Sequence, residues 1–348
     1  MAKKKKDPGV NFAEEVRRLR ASGPERLYVL CGEEEYLREQ FLAEIKKLCL
    51  PGGEDDFCYH RFDGASLTMQ ALADAADAVP FLSERTLLEV RGCDTNKLVE
   101  AESARLLALL EDIPDYCTLV FVMDPVVMPD GKRKVTKAFQ KHGHILRFQG
   151  QEGSALIKWV ARRFDAYGKR ITVPDAEHLI LITGGLMSRM IPEIDKLGAY
   201  ARGTVVTRAD IDAVVQKVPD AVIYDMTDCI ADRRGDEAMR QLAELLSDKN
   251  SEPVAMLAAV GSQMRRLYAA KCASEARMSE DALADLLGLK LSFIARMLMR
   301  SARGFTTERL ERAVALCAEA DYNMKHSKQD NEVILQELLL RLLAETPA

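Results

Sequence analysis

Up to Gly150 the chain alternates short apolar runs with helical patterns, and beyond Gly150 the short apolar runs all but vanish. In the first stretch, residues 27–31, 57–62, 86–90, 118–123 and 145–148 read as strands. Turn formers stop most of them: Gly32, Asp63-Gly64, Gly92 and Asp124-Pro125. Between the strands, 36–48, 67–78, 97–110 and 132–141 have helical spacing, as Leu37, Phe41, Ile45 and Leu48 illustrate. Strands alternating with helices of this length imply a parallel sheet covered on both faces. After Gly150, Pro174 can open a helix that ends near Gly184-Gly185. Residues 186–201 and 208–216 complete a small helical region, which Val218-Pro219 closes. From Ala221 onward almost everything has helical periodicity, with breaks at Gly235, Pro253, Gly288 and Gly304.

The last helical segment carries Val333, Ile334, Leu335, Leu338, Leu339, Leu340, Leu342 and Leu343. At 100° per residue these fall at nearly every azimuth, which marks a buried helix. It can be buried within its own domain or between subunits, and the pattern leaves both open.

Composition excludes several classes. The charged fraction is 30% and the apolar fraction 48%, with no run long enough to span a bilayer. Behind the N-terminal charges there is no apolar stretch, so no secretory signal is expected. The eight cysteines are dispersed without any Cys-x-x-Cys, and the histidines are scattered, so no metal site is expected. A reducing cytoplasm fits such cysteine usage. The net charge of −5 argues against a protein that grips DNA alone. Lys3 to Lys6 form a basic cluster that reads as a solvated tail.

The turn at 32–39 is the most informative motif. A phosphate-binding loop runs Gly, four residues, then Gly-Lys-Ser/Thr, between a strand and a helix. With Gly32 in the first position, Leu37 stands for the second glycine, Arg38 for the lysine and Glu39 for the hydroxyl residue. The setting is right and the chemistry is missing. Glu33, Glu34 and Glu35 crowd the helix N-terminus, where they suit the dipole but repel a triphosphate. The strand at 86–90 also lacks the Asp-Glu pair that an ATPase places at a strand end, since Arg91 follows Val90. No Gly-x-Ser-x-Gly occurs, and no Ser/His/Asp or Cys/His set suggests itself. No catalytic residue, cofactor or metal is therefore expected.

The ordered segments 27–37, 79–88, 130–137, 185–197, 263–271 and 318–325 together resemble the delta subunits of bacterial DNA polymerase III, the clamp-loader family related to AAA+ ATPases. The resemblance covers about residues 25–343. It implies an N-terminal extension over 1–24 and an AAA+ type (RecA-like) α/β domain over 25–150 with no working nucleotide site. A helical lid over 151–217 and an all-α collar for oligomerisation over 218–348 follow. It further implies a subunit that binds and opens the sliding clamp (the beta subunit) without hydrolysing ATP. The expected partners are gamma/tau motor subunits and delta-prime in a hetero-pentamer, with primer–template DNA held inside. The setting is the cytoplasmic replisome at the nucleoid, with no membrane. As part of the DNA polymerase III holoenzyme, such a chain is grouped with DNA-directed DNA polymerases. The clamp-binding element maps onto Val79, Pro80, Phe81 and Leu82. The residues alone also allow Phe81 and Leu82 to cap the domain core. The family commonly carries Leu-Phe here and this chain has Pro80-Phe81, so Phe81 is the expected anchor. An active AAA+ motor and a scaffold that binds no clamp are the alternatives.

Overall fold

The computed structural model describes residues 9–53, 57–81, 83–125, 127–151, 153–247 and 252–344. Leu82 and Lys3 to Lys6 lie outside the described residues. The chain divides into two compact units, Met1–Gly150 and Gln151–Ala348.

In the first unit the element order is α1 (Phe12–Ser22), β1 (Leu27–Cys31), α2 (Glu35–Cys49), β2 (Tyr59–Asp63), α3 (Met69–Asp77), β3 (Thr86–Arg91), α4 (Glu100–Glu111), β4 (Cys117–Val122), α5 (Lys134–His142) and β5 (His144–Arg147). The five strands form one parallel sheet in the order β2-β3-β4-β1-β5. Register is set by pairs such as Val29↔Phe121, Val29↔Ile145 and Leu88↔Leu119. Strands β1 and β4 are buried along their whole length, as parallel strands covered on both faces must be. Alternate residues serve opposite faces. Leu27 and Val29 of β1 and Phe121 of β4 pack with α3, α4 and α5 through Leu72, Leu106 and Phe139. On the other face Tyr28 meets Phe41 of α2 edge-on at 5.9 Å, and Phe41 meets Phe148 at 5.6 Å. Each such side chain contributes about 1.5–3 kcal/mol by leaving water. This is the covered parallel sheet that the sequence pattern implies, and it has the AAA+ type, RecA-like form expected from the resemblance.

Helix α1 precedes every element read from periodicity. Asn11 caps it by accepting from the backbone of Ala13 and Glu14. Leu19 is its one buried residue, so its apolar stripe is too thin to read from spacing. Arg20 ties it to Glu44 of α2 at 2.6 Å.

The second unit begins with α6 (Gly153–Asp165), β6 (Arg170–Ile171), α7 (Val173–Thr183), α8 (Met187–Tyr200), β7 (Val205–Val206) and α9 (Arg208–Val214). Strands β6 and β7 pair in parallel over two residues each, too short to leave a pattern in the sequence. Thr172 caps α7, Pro174 sits in its first turn, and Gly184 ends it in the left-handed conformation at φ +79°. Then come α10 (Pro219–Ala231), α11 (Gly235–Ser247), α12 (Pro253–Glu275), α13 (Glu280–Leu287), α14 (Ser292–Ser301), α15 (Thr307–His326) and α16 (Asn331–Ala344). Their shared core gathers residues from Ile223 to Leu342, with α12 contributing Leu257, Val260, Met264 and Leu267. Helix α16 buries Ile334, Leu335, Leu338, Leu339 and Leu342 in this core. Its apolar breadth is therefore used mainly within the domain, while Val333 and Leu340 stay exposed.

Candidate functional site

Two places in the first unit carry the residues singled out from the sequence: the turn between β1 and α2, and the segment after α3.

At the turn, Gly32 has φ +111°, and a Cβ there would lie 2.2 Å from the Phe148 carbonyl oxygen. The glycine is thus required by the close pass of the chain after β5, whatever the turn binds. The Glu34 amide donates to that same carbonyl at 3.1 Å, and the Gly150 amide donates to Glu33 Oε1 at 3.3 Å. A backbone group that a phosphate loop would aim at an anion is thus already engaged. Leu37 lies inside α2 and is buried.

Arg38, in the lysine position, is buried and donates to the Met123 carbonyl just past β4. Burial pulls its guanidinium below the usual arginine value, with Glu35 and Glu39 countering in part. Glu39, in the hydroxyl position, accepts two hydrogen bonds from Arg91, at 2.7 and 2.8 Å. Phosphate-loop enzymes hold magnesium between that hydroxyl and an acid of a neighbouring strand. Here Glu39 has replaced the hydroxyl, and a guanidinium at the end of β3 faces it. The hydrogen bonds to Glu39, and then to Glu89, raise Arg91 above its ordinary value against the opposing effect of burial.

Behind this pair stands Glu89, fully buried on β3. It is bonded to Arg91, to Lys46 Nζ at 2.9 Å and to the Tyr59 hydroxyl at 2.7 Å. Burial pushes its carboxyl up, but these three donors together outweigh it and hold the carboxyl below the usual range. Sequence reading missed this network. Its signal was present as a coordinated swap, an acid at the hydroxyl position together with a base at the strand end.

The segment after α3 has the opposite character. Thr68 caps the start of α3 and Glu102 accepts from the Met69 amide at 2.7 Å. At the far end the Tyr116 hydroxyl donates to the Asp77 carbonyl at 3.0 Å. The helix stops three residues before Pro80, whose ring disfavours helical geometry in Val79. Val79 is 75% exposed and Phe81 70% exposed, while Pro80 is half-buried. Neither large side chain caps the core. The Phe81 backbone is held by Cys58, one residue before β2: the Phe81 amide donates to the thiol sulfur at 3.3 Å, and the thiol donates to the Phe81 carbonyl at 3.4 Å. The structure thus brings Val79, Pro80 and Phe81 together at one exposed tip, and places Gly32 in a turn closed by Phe148 with Leu37, Arg38 and Glu39 on the first turns of α2 behind it.

Among the described residues no group of His, Cys, Asp or Glu is placed to hold a metal ion, and no helix is long and apolar enough to cross a membrane. All eight cysteines are free. Burial pushes the Cys93 and Cys317 thiols up to about 11, so they are inert at neutral pH.

Residues 28–149 match the family described as DNA polymerase III, delta subunit, and residues 220–342 match the DNA polymerase III delta subunit, C-terminal domain. The DNA polymerase III subunit delta of Bacillus subtilis is 26% identical over 325 residues, covering 91% of this chain and 92% of that protein. The probable DNA polymerase III subunit delta of Aquifex aeolicus is 20% identical, with 90% of each chain covered. Among solved structures, the Bacillus subtilis DNA clamp loader delta protein has the same fold. Its TM-score is 0.52 at 24% identity, covering 96% of this chain and 100% of that one.

Proposed function

This chain belongs to the family of DNA polymerase III delta subunits, and on that footing we propose that it binds the sliding clamp and opens it for loading onto primed DNA, without hydrolysing ATP itself. The observation that carries this reading is the tip after α3. A large aromatic and a valine stand in solvent beside a proline, on a helix whose two ends are fixed. Exposed apolar groups on a rigid support are what an interface anchor requires. Val79, Pro80, Phe81 and Leu82 form the clamp-binding element, with Phe81 as its anchor.

The closed turn supports the division of labour. Leu37, Arg38 and Glu39 spend on internal packing and bonds what a motor subunit would present to nucleotide. The motor (gamma/tau) and delta-prime subunits complete the hetero-pentamer. Residues 151–217 serve as the lid and 218–348 as the collar that joins them, and primer–template DNA passes within the assembled ring. The work is done in the cytoplasm, at the replisome.

The test is direct binding of the full chain to the immobilised sliding clamp of the same organism by surface plasmon resonance. Saturable binding is expected. Absence of binding by a folded chain would leave the scaffold reading in its place.

A further inference from the structure

A third large apolar side chain stands exposed on the separate segment that Cys58 ties to the tip. Phe57 is 85% exposed, more than either Val79 or Phe81. It immediately precedes Cys58, whose thiol exchanges hydrogen bonds with the Phe81 backbone in both directions. Cys58 is itself fixed, being buried and accepting at its carbonyl from the Leu87 amide of β3 at 2.8 Å. Two segments are therefore locked together at one point of the sheet edge, and each presents an aromatic ring to solvent.

We propose that Phe57 is a second anchor for the sliding clamp, held in fixed relation to Phe81 by Cys58 as a positioning residue. This rests on the reading of the tip as the clamp-binding element, and it extends that element to the loop before β2. An isolated exposed phenylalanine is unremarkable. Three exposed large apolar groups on two segments that hydrogen bonds hold together are a different matter, and a tip held rigid before contact loses less freedom when it binds. The partner surface is an apolar depression on the clamp, because Phe57 directly precedes Cys58, which holds the backbone of the residue proposed to enter it.

The experiment measures affinity of full-length variants for the immobilised clamp of the same organism, with melting temperature recorded for each. Phe57→Ala should bind about tenfold more weakly or worse with an unchanged melting temperature, as expected of an anchor that contributes nothing to the core. Cys58→Val, which fills the space but cannot exchange hydrogen bonds, should also weaken binding. Cys58→Ser, which still donates and accepts, should recover most of the loss, and a purely space-filling role would show no such recovery. Phe81→Ala is run in parallel. If Phe81→Ala is impaired and Phe57→Ala binds like the parent, the second anchor is refuted while the clamp-binding tip stands. If both bind like the parent, the tip itself has been misassigned and the inference falls with it. If the parent chain self-associates on a sizing column, Phe57→Ala becomes monomeric and clamp affinity is unaffected, the patch is a self-interface and the proposal is overturned. Should Cys58→Val unfold, the Phe57→Ala arm still decides.

Discussion

The turn after β1 and the tip after α3 belong to one domain and treat their side chains in opposite ways. At the turn, groups of the kind that bind ligands in related folds face inward. Arg38 bonds a carbonyl, Glu39 bonds Arg91, and the Glu34 amide bonds Phe148. At the tip, groups that a monomer would normally bury face outward. Polar groups that find partners inside the fold stabilise it and lose their capacity for outside ligands. Apolar groups left outside stabilise nothing until something covers them. The two regions therefore respond to mutation through different observables: changes at the turn register as stability, and changes at the tip register as affinity.

The strongest way to break this contrast is at Glu89, which anchors the network behind the turn. Glu89→Ala removes the buried carboxylate that half-buried Lys46 and Arg91 share, and because Arg91 keeps Glu39 the cost should lie near the low end for a broken buried pair, about 3 kcal/mol in urea denaturation. Clamp affinity of the folded fraction should not change. The network also sets a pH dependence. Because the folded Glu89 carboxyl is held below the usual range, its stabilisation is complete above the unfolded carboxylate value of about 4.3 and is lost as pH falls through the lower folded value. The stability gap between Glu89→Gln and the parent should therefore be widest near neutrality and narrow below about pH 4. A gap that widens in acid would refute the assignment.

Next in size is Phe81→Ala. Truncating an aromatic anchor costs about 2 kcal/mol or more in binding, which is roughly a 25-fold loss of clamp affinity or greater. Its exposure predicts almost no change in melting temperature. A mutant that melts several degrees lower and yet binds normally would place Phe81 in the core instead.

A smaller effect is expected at Glu39→Ala. The bidentate pair with Arg91 is about one-third exposed on each side, so solvent screening limits it to about 1 kcal/mol, read by denaturant midpoint. Clamp affinity should be untouched. The smallest effect is none at all: titrating the chain with Mg-ATP should release no heat above dilution. A micromolar dissociation constant would mean that the turn opens, and the contrast between the two regions would dissolve.

Much of the architecture is legible in spacing. All five strands of the large sheet stand where the apolar runs placed them, within two residues at either end. Helices α2 to α5 likewise follow the apolar spacing of 36–48, 67–78, 97–110 and 132–141. Helix α1 and the β6–β7 pair were not legible, because one buried leucine and two paired residues make no periodic signal. The exposure of Val79 and Phe81 was not legible from the residues alone, which leaned toward the core; only the family resemblance pointed outward. Helix α16 was equally ambiguous, and the fold packs its Ile and Leu face onto the other helices of the second unit.

Local chain chemistry was enough to establish that a strand–turn–helix stands at Gly32 and that it lacks the lysine and hydroxyl a phosphate needs. It was also enough to stop α3 ahead of Pro80. What takes over the vacated positions depended on the fold. Arg91 reaches Glu39 across 52 residues and Cys58 holds Phe81 across 23. Periodicity reports on neighbours three or four apart in a helix and two apart in a strand. It carries no information about which strand lies beside which, and the order β2-β3-β4-β1-β5, with the helices packed over it, is what brings these groups together.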